Sequence, residues 1–217
     1  MDYQAARTNM VESQVRTNKV TDPALIDALS SVPRELFVPA PLRGIAYVDE
    51  DLDLGGGRHL MEPMVLARLL QAAALQPGDR VLEVGCGTGY GVALTARLAR
   101  QVVGLESVSA HARRARELMA ALKVANAEIV EGALPTGAPG RGPFDVILVG
   151  GSVSEIPTAL QGQLADGGRL LSVVKRSIGL GQAMLTQRLG EIYSTRILFD
   201  AAMPLLPEFV AQESFVF

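Results

Sequence analysis

Cysteine, net positive charge and long apolar runs are what this chain lacks, and each shortage removes a class of function. Cys86 is the only cysteine, so no internal disulfide can form and no cysteine pair can hold a metal; a reducing, cytoplasmic setting with no metal site is the expectation. The formal net charge is -3, which gives no overall positive field for a phosphate backbone or an anionic membrane, so no nucleic acid partner is expected. The apolar stretches at 64–75 and 146–149 are far below the roughly 20 residues that span a bilayer. Residues 1–17 carry Asp2, Arg7, Glu12 and Arg16 without an apolar segment, which does not read as a secretory signal. There is no internal repeat and no low-complexity tract.

What is present is a chain of 217 residues with 48% hydrophobic content, enough for one sizeable core and too short for two ordinary domains with a linker. Thr21, Asp22 and Pro23 predict a helix start, a capping side chain followed by proline where its missing N–H costs nothing. A turn is expected at 33–37, then irregular chain over 38–59. The run Gly55-Gly56-Gly57 reads either as a linker or as a loop over a pocket. Pro63 opens a helix with Met64, Val65, Leu66, Leu69, Leu70 and Ala73 on one stripe, stopping near Gln76-Pro77-Gly78-Asp79.

From there strands and helices alternate, the pattern of a parallel sheet with crossover helices. Strands are expected at 80–84, 101–105, 128–130, 145–149 and 169–174, and helices at 90–99, 109–123 and 156–164. Residues 183–188 and 192–199 read as an antiparallel hairpin at the sheet edge. The fold class is therefore α/β, a Rossmann-like, doubly wound and mostly parallel sheet with helices on both faces. Residues 1–76 form an N-terminal helical and loop extension to an α/β core at 77–217.

The segment Glu83-Val84-Gly85-Cys86-Gly87-Thr88-Gly89-Tyr90 follows a strand and opens a helix. Glycine permits positive φ and close approach of another molecule to the backbone. A dinucleotide fingerprint needs a third glycine where Tyr90 stands. The spacing is instead G-x-G-x-G with an acidic residue before it. Glu83 suits a cofactor with an ammonium group and repels a pyrophosphate. Glu106, at the end of the next strand and about twenty residues past Gly85, can accept both hydroxyls of a ribose. The alternative, a turn that merely packs tightly, accounts for the glycines but not for the two carboxylates. Asp145 reads as a structural turn residue, and Gly150-Gly151-Ser152 should face the ligand. The basic helix with His111, Arg113, Arg114 and Arg116 reads as a solvated face.

This set resembles the cofactor motif of class I S-adenosylmethionine-dependent methyltransferases. A closer likeness covers roughly residues 10–175. Met10-Val11-Glu12 with Gln14 and Arg16, Val32-Pro33-Arg34-Glu35-Leu36-Phe37-Val38, Phe144-Asp145-Val146-Ile147, Glu155-Ile156-Pro157 and Asp166-Gly167-Gly168 are similar to the protein-L-isoaspartate O-methyltransferase family. The resemblance implies S-adenosyl-L-methionine as cofactor and methylation of the carboxylate of isoaspartyl residues in a damaged protein or peptide partner. It places Glu83 near the methionine end and Gly85, Cys86, Gly87, Gly89 and Tyr90 along the cofactor wall. Glu106 falls at the ribose, with Ala133 and Leu134 near the adenine.

Three positions depart from the family pattern. Met61 stands where a serine is usual, Gly132-Ala133-Leu134 replaces Gly-Asp-Gly, and Ala202-Met203-Pro204-Leu205 replaces Phe-x-Pro-Leu. A thioether offers no O–H donor. Arg58 and His59 supply other chemistry beside the same pocket, a clamp for a carboxylate and a proton acceptor near neutral pH, or they are exposed loop residues. Two further readings stay open: a diverged methyltransferase with another acceptor, and a non-catalytic module that retains the cofactor site.

Overall fold

The computed structural model describes residues 1–175 and 179–210. The N-terminal extension begins with α1 (Tyr3–Met10), capped by Asp2, whose side chain accepts from Ala5 N–H. Single turns then carry the chain to Asn18. In α2 (Pro23–Ser31) Asp22 accepts from the N–H groups of Ala24 and Leu25, and Pro23 occupies the first helical position, the start that the sequence predicts. α3 (Pro63–Ala73) buries Val65, Leu66, Leu69, Leu70 and Ala73 and ends at Ala74, in the left-handed conformation at φ 48°.

The region 38–59 is not irregular throughout. It contains β1 (Leu52–Gly55), paired antiparallel with β2 (Arg58–Leu60). The three glycines form the hairpin turn, all at positive φ, which is why they look like a linker in sequence. Leu52 and Leu54 face the core while Asp53 faces water, so a strand period of two is present but very short.

The main sheet contains β3 (Arg80–Val84), β4 (Gln101–Glu106), β5 (Ala127–Glu131), β6 (Phe144–Val153), β7 (Leu164–Val174), β8 (Gly181–Leu189) and β9 (Ile192–Ala201). Their order is β5-β4-β3-β6-β7-β8-β9. Pairings from β5 through β7 are parallel, and β8 and β9 close the edge as an antiparallel hairpin. Crossovers include α4 (Tyr90–Thr95), α5 (Ser109–Ala121) and the single-turn α6 (Thr158–Gln161). Both α4 and α6 are shorter than the sequence predicts. Residues 164–168, read as the helix end and a turn, already pair as the start of β7, and β6 runs on through Gly150-Gly151-Ser152 with a shifted register.

Alternation along β6 explains how the sheet divides its neighbours. Val146 and Leu148 belong to the core under α1–α5, whereas Ile147 and Val149 join a second core with Leu134, Leu160, Leu206 and Phe209. After β3 the chain adds β4 and β5 on one side and then returns to the other side with β6. A crevice opens outside the carboxyl ends of parallel strands where the order reverses in this way. The turn that follows Val84 lies there. Asp145 serves the fold, since its carboxylate accepts from Arg80 N–H at 2.7 Å.

Candidate functional site

The glycine turn needs its glycines for stated reasons. Gly85, Gly87 and Gly89 have φ of 74°, 54° and 91°, where a side chain is disfavoured. A Cβ on Gly89 would also stand 3.2 Å from Ala115 Cβ on α5. Gly150 is held to glycine by a different constraint: a Cβ there would lie 2.5 Å from the carbonyl oxygen of Gly85, so β6 passes directly beside the turn. The turn is stitched to β4 by Gly85 N–H and Cys86 N–H, both donating to Leu105 O.

Two carboxylates flank this turn. Glu83 is 4% exposed, and its Oε2 has no hydrogen-bond partner among the described residues. Burial first, and the Glu106 charge second, push its pKa up to about 8. Gly91 gives it room, because a Cβ there would collide with the Glu83 carboxylate. Glu106 is fully buried and well satisfied, accepting from the N–H groups of Gly87 and Ser107 at 2.8 Å and of Val108 at 2.9 Å. Cys86 between them is buried, and burial pushes its thiol well above the usual range, so it is no thiolate nucleophile. Tyr90 is buried, its hydroxyl without a partner among the described residues and its ring edge-on to Phe37. Leu134 is buried against Gly85, while Ala133 is exposed.

The opposite wall is the β1–β2 hairpin. Met61 is 5% exposed and lines the cleft with His59, Leu66 and Glu83. Its carbonyl accepts from Arg34 Nη2 at 2.8 Å, and Arg34 Nε donates to Ala46 O at 2.6 Å. The Pro33-Arg34-Glu35 segment thus fixes where the hairpin leaves the cleft. Beside Met61, burial and then the neighbouring Asp51, Asp49 and Glu50 push Glu62 up to about 7. His111 touches the hairpin through Nε2, 3.0 Å from Gly55 O, a contact outside the solvated face expected for its helix.

Arg58 turns inward. Its side chain is 1% exposed; Nε donates to Glu106 at 2.9 and 3.1 Å, and Nη2 donates to Ser107 Oγ at 2.7 Å and Glu208 Oε1 at 2.5 Å. It is neither an exposed loop residue nor open to an acceptor carboxylate. Glu208 belongs to residues 204–210, which run alongside β6: Ser152 N–H donates to Pro204 O and Leu206 N–H to Ser152 O. Leu206 packs over Gly85 and Gly151, and Pro207 against Gly57. Nothing in sequence spacing links Glu208 to Arg58, 150 residues away. Only the family likeness of the Pro204-Leu205 pair pointed to this stretch. Arg34 lay within a recognised motif, but its complete burial could not be read from the sequence.

The chain is also similar to known proteins. The family model described as protein-L-isoaspartate(D-aspartate) O-methyltransferase matches residues 5–196. A protein-L-isoaspartate O-methyltransferase of Methylorubrum populi (strain ATCC BAA-705 / NCIMB 13946 / BJ001) is 41% identical over 88% of this chain and 90% of its own. Another, of Methylorubrum extorquens (strain PA1), is 42% identical over 90% and 85%. Among solved structures, a protein-L-isoaspartate O-methyltransferase superposes with a TM-score of 0.80 at 25% identity, over 92% of this chain and 65% of that one. A Plasmodium falciparum structure described as a putative protein-L-isoaspartate O-methyltransferase gives 0.78 at 22% identity, over 96% and 99%, and shares the fold.

Proposed function

The chain belongs to the protein-L-isoaspartate(D-aspartate) O-methyltransferase family, and from that premise we infer that it methylates the carboxylate of isoaspartyl residues in damaged proteins, using S-adenosyl-L-methionine. The observation that carries this reading is the buried Glu83 carboxylate, with an oxygen that has no partner among the described residues, beside a turn whose positions 85, 87 and 89 are glycines at positive φ. A sealed carboxylate without a partner is costly, and the ammonium group of the cofactor's methionine end removes that cost. The residues present therefore fit the cofactor.

We assign Glu83 to that ammonium group and Glu106 to the ribose hydroxyls. Gly85, Cys86, Gly87, Gly89 and Tyr90 form the wall, and Ala133 and Leu134 flank the adenine. The bound cofactor supplies a methyl group on a positively charged sulfur. The chain's part is to hold an acceptor carboxylate in line with that methyl and keep water out, a positioning effect that can supply about 7–11 kcal/mol without an obligatory base. His59 and Met61 lie on the acceptor side of the cleft, with His59 as the candidate acceptor-side polar group. Arg58 we place on the cofactor side, because its guanidinium is already taken by two carboxylates.

The partner is a protein or peptide bearing an isoaspartyl residue, with neither nucleic acid nor membrane involved. A net charge of -3, which gives no overall positive field for a polyanion, supports that reading; among the described residues no helix is long and apolar enough to cross a membrane. A cytoplasmic location and one domain, with residues 1–76 laid over the core at 77–217, belong to the same proposal.

Incubation with methyl-labelled cofactor and an isoaspartyl peptide tests the activity; label on the peptide is the expected result, and none under any condition refutes it. A second reading, a cofactor-binding module without turnover, is favoured by the buried Met61 in place of a hydroxyl donor. One lost donor of that kind lowers the rate by about a hundredfold to a thousandfold. Met61→Ser is therefore expected to raise the isoaspartyl rate, and an unchanged rate would show that the acceptor wall differs more widely.

A further inference from the structure

The carboxylate assigned to the ribose has no free capacity. A carboxylate offers about four lone-pair positions. Glu106 Oε1 accepts from Arg58 Nε, Ser107 N–H and Val108 N–H, and Oε2 from Gly87 N–H and the same Arg58 Nε. Three of these donors are backbone groups, one in the glycine turn and two at the entry to α5, that cannot leave without unwinding those segments. The fourth is a side chain on a short hairpin, and it alone can leave. Glu106 is fully buried and Arg58, which covers it, is 1% exposed, so a ribose cannot reach the carboxylate without something moving.

Arg58 has somewhere else to go. Its outer nitrogens already donate to Ser107 Oγ and to both oxygens of Glu208, whose side chain is 27% exposed. Rotation about its own stem can give up Glu106 while keeping Glu208 at the solvent edge. The hairpin turn and the 204–210 segment also touch directly, since a Cβ on Gly57 would stand 2.6 Å from Pro207 Cγ. One guanidinium thus ties three pieces together: the acceptor-side hairpin, the ribose carboxylate and the last described stretch of chain.

We propose that Arg58 is an internal competitor for the ribose position, and that the Glu106–Arg58–Glu208 clasp holds the cofactor cleft closed until the cofactor displaces it. This rests on the assignment of Glu106 to the ribose. In a two-state protein the apparent affinity falls in proportion to the open fraction. The clasp therefore lowers cofactor affinity while stabilising the unliganded protein, so its removal moves the two quantities in opposite directions. A residue that merely bound the cofactor would not act in that way.

The test is calorimetric titration with S-adenosylhomocysteine together with thermal melting of the unliganded protein. Arg58→Met is expected to bind about tenfold more tightly, as for a cleft open roughly one-tenth of the time, and to melt lower without ligand. Glu208→Gln, a change at the solvent edge that spares the core, is expected to bind about threefold more tightly by the same logic and serves if the Arg58 variant does not fold. Affinity equal to or weaker than that of the unaltered protein, in Arg58→Met or, failing that, in Glu208→Gln, overturns the clasp. Glu106→Gln, made in whichever of these two backgrounds folds, separates the two ideas because the clasp is already broken there. If the double variant binds like its parent variant, the ribose assignment has failed and the clasp with it; if it binds more weakly than its parent while neither single variant gains affinity, only the clasp has failed.

Discussion

Glu83 shows how much one unsatisfied oxygen can govern. With its pKa pushed from the usual 4.5 to about 8 by burial and by Glu106, the carboxyl is protonated in the folded chain at pH values where the unfolded chain has ionised it. Its stabilising contribution is fully present below about pH 4.5 and is lost as pH passes about 8. The unliganded protein is expected to become less stable across that window, with Glu62, pushed up to about 7, acting in the same direction. Glu83→Gln removes the Glu83 share, so denaturant unfolding of that variant should show a shallower pH slope; an unchanged slope would mean that the carboxyl is already ionised. Cofactor binding should favour the charged form and release up to one proton at pH 7, visible as a dependence of the S-adenosylhomocysteine binding heat on the buffer. The sequence singles out Glu83 and Glu106 because an acidic residue on each side of a glycine turn has few other uses. It also singles out Arg58, but as a clamp for an acceptor carboxylate, because the two carboxylates that take its guanidinium are distant in the chain.

At the level of elements, helix ends and central strands were legible where local chemistry is strong. Asp22-Pro23 starts α2 as expected, and the apolar runs of β3, β4 and β6 are found where buried parallel strands should be. The β1–β2 hairpin was not legible, because two strands of four and three residues leave little periodicity and the glycines between them mimic a linker. α4 and α6 fall short of their predicted lengths because the apolar residues beyond them do other work: after α4 they pack in turns, and beyond α6 Leu164 already pairs in β7. The end of α3 carries a testable misfit. Ala74 is exposed and sits at φ 48°, a conformation that costs a residue with a Cβ about 1–2 kcal/mol and glycine almost nothing. After the greater backbone freedom of glycine in the unfolded chain is subtracted, Ala74→Gly should stabilise the protein by roughly 0.5–1 kcal/mol, measured by denaturant titration. A loss of stability would show that the left-handed cap is not strained.

For the molecule as a whole, the sheet holds two separate cores, and the second depends on residues 204–210 for part of its cover. Leu206 is 2% exposed and packs on Gly85 and Gly151, so it belongs both to the core and to the floor of the site. Leu206→Ala should cost about 2–4 kcal/mol and weaken S-adenosylhomocysteine binding together with stability. Loss of one without the other would separate the two roles. The overall fold class was readable from the alternation of strands and helices, whereas this return of the chain to the centre was not, since Pro204, Leu205 and Leu206 form no periodic element. The return also sets a timetable. The walls of the cleft come from positions near 58, 83–91, 106, 150 and 206, so a chain emerging from the ribosome has no complete cleft until the residues near 206 have been made. Until then it must do without help from the nucleoside, and a translation product stalled before residue 204 should be unable to retain it.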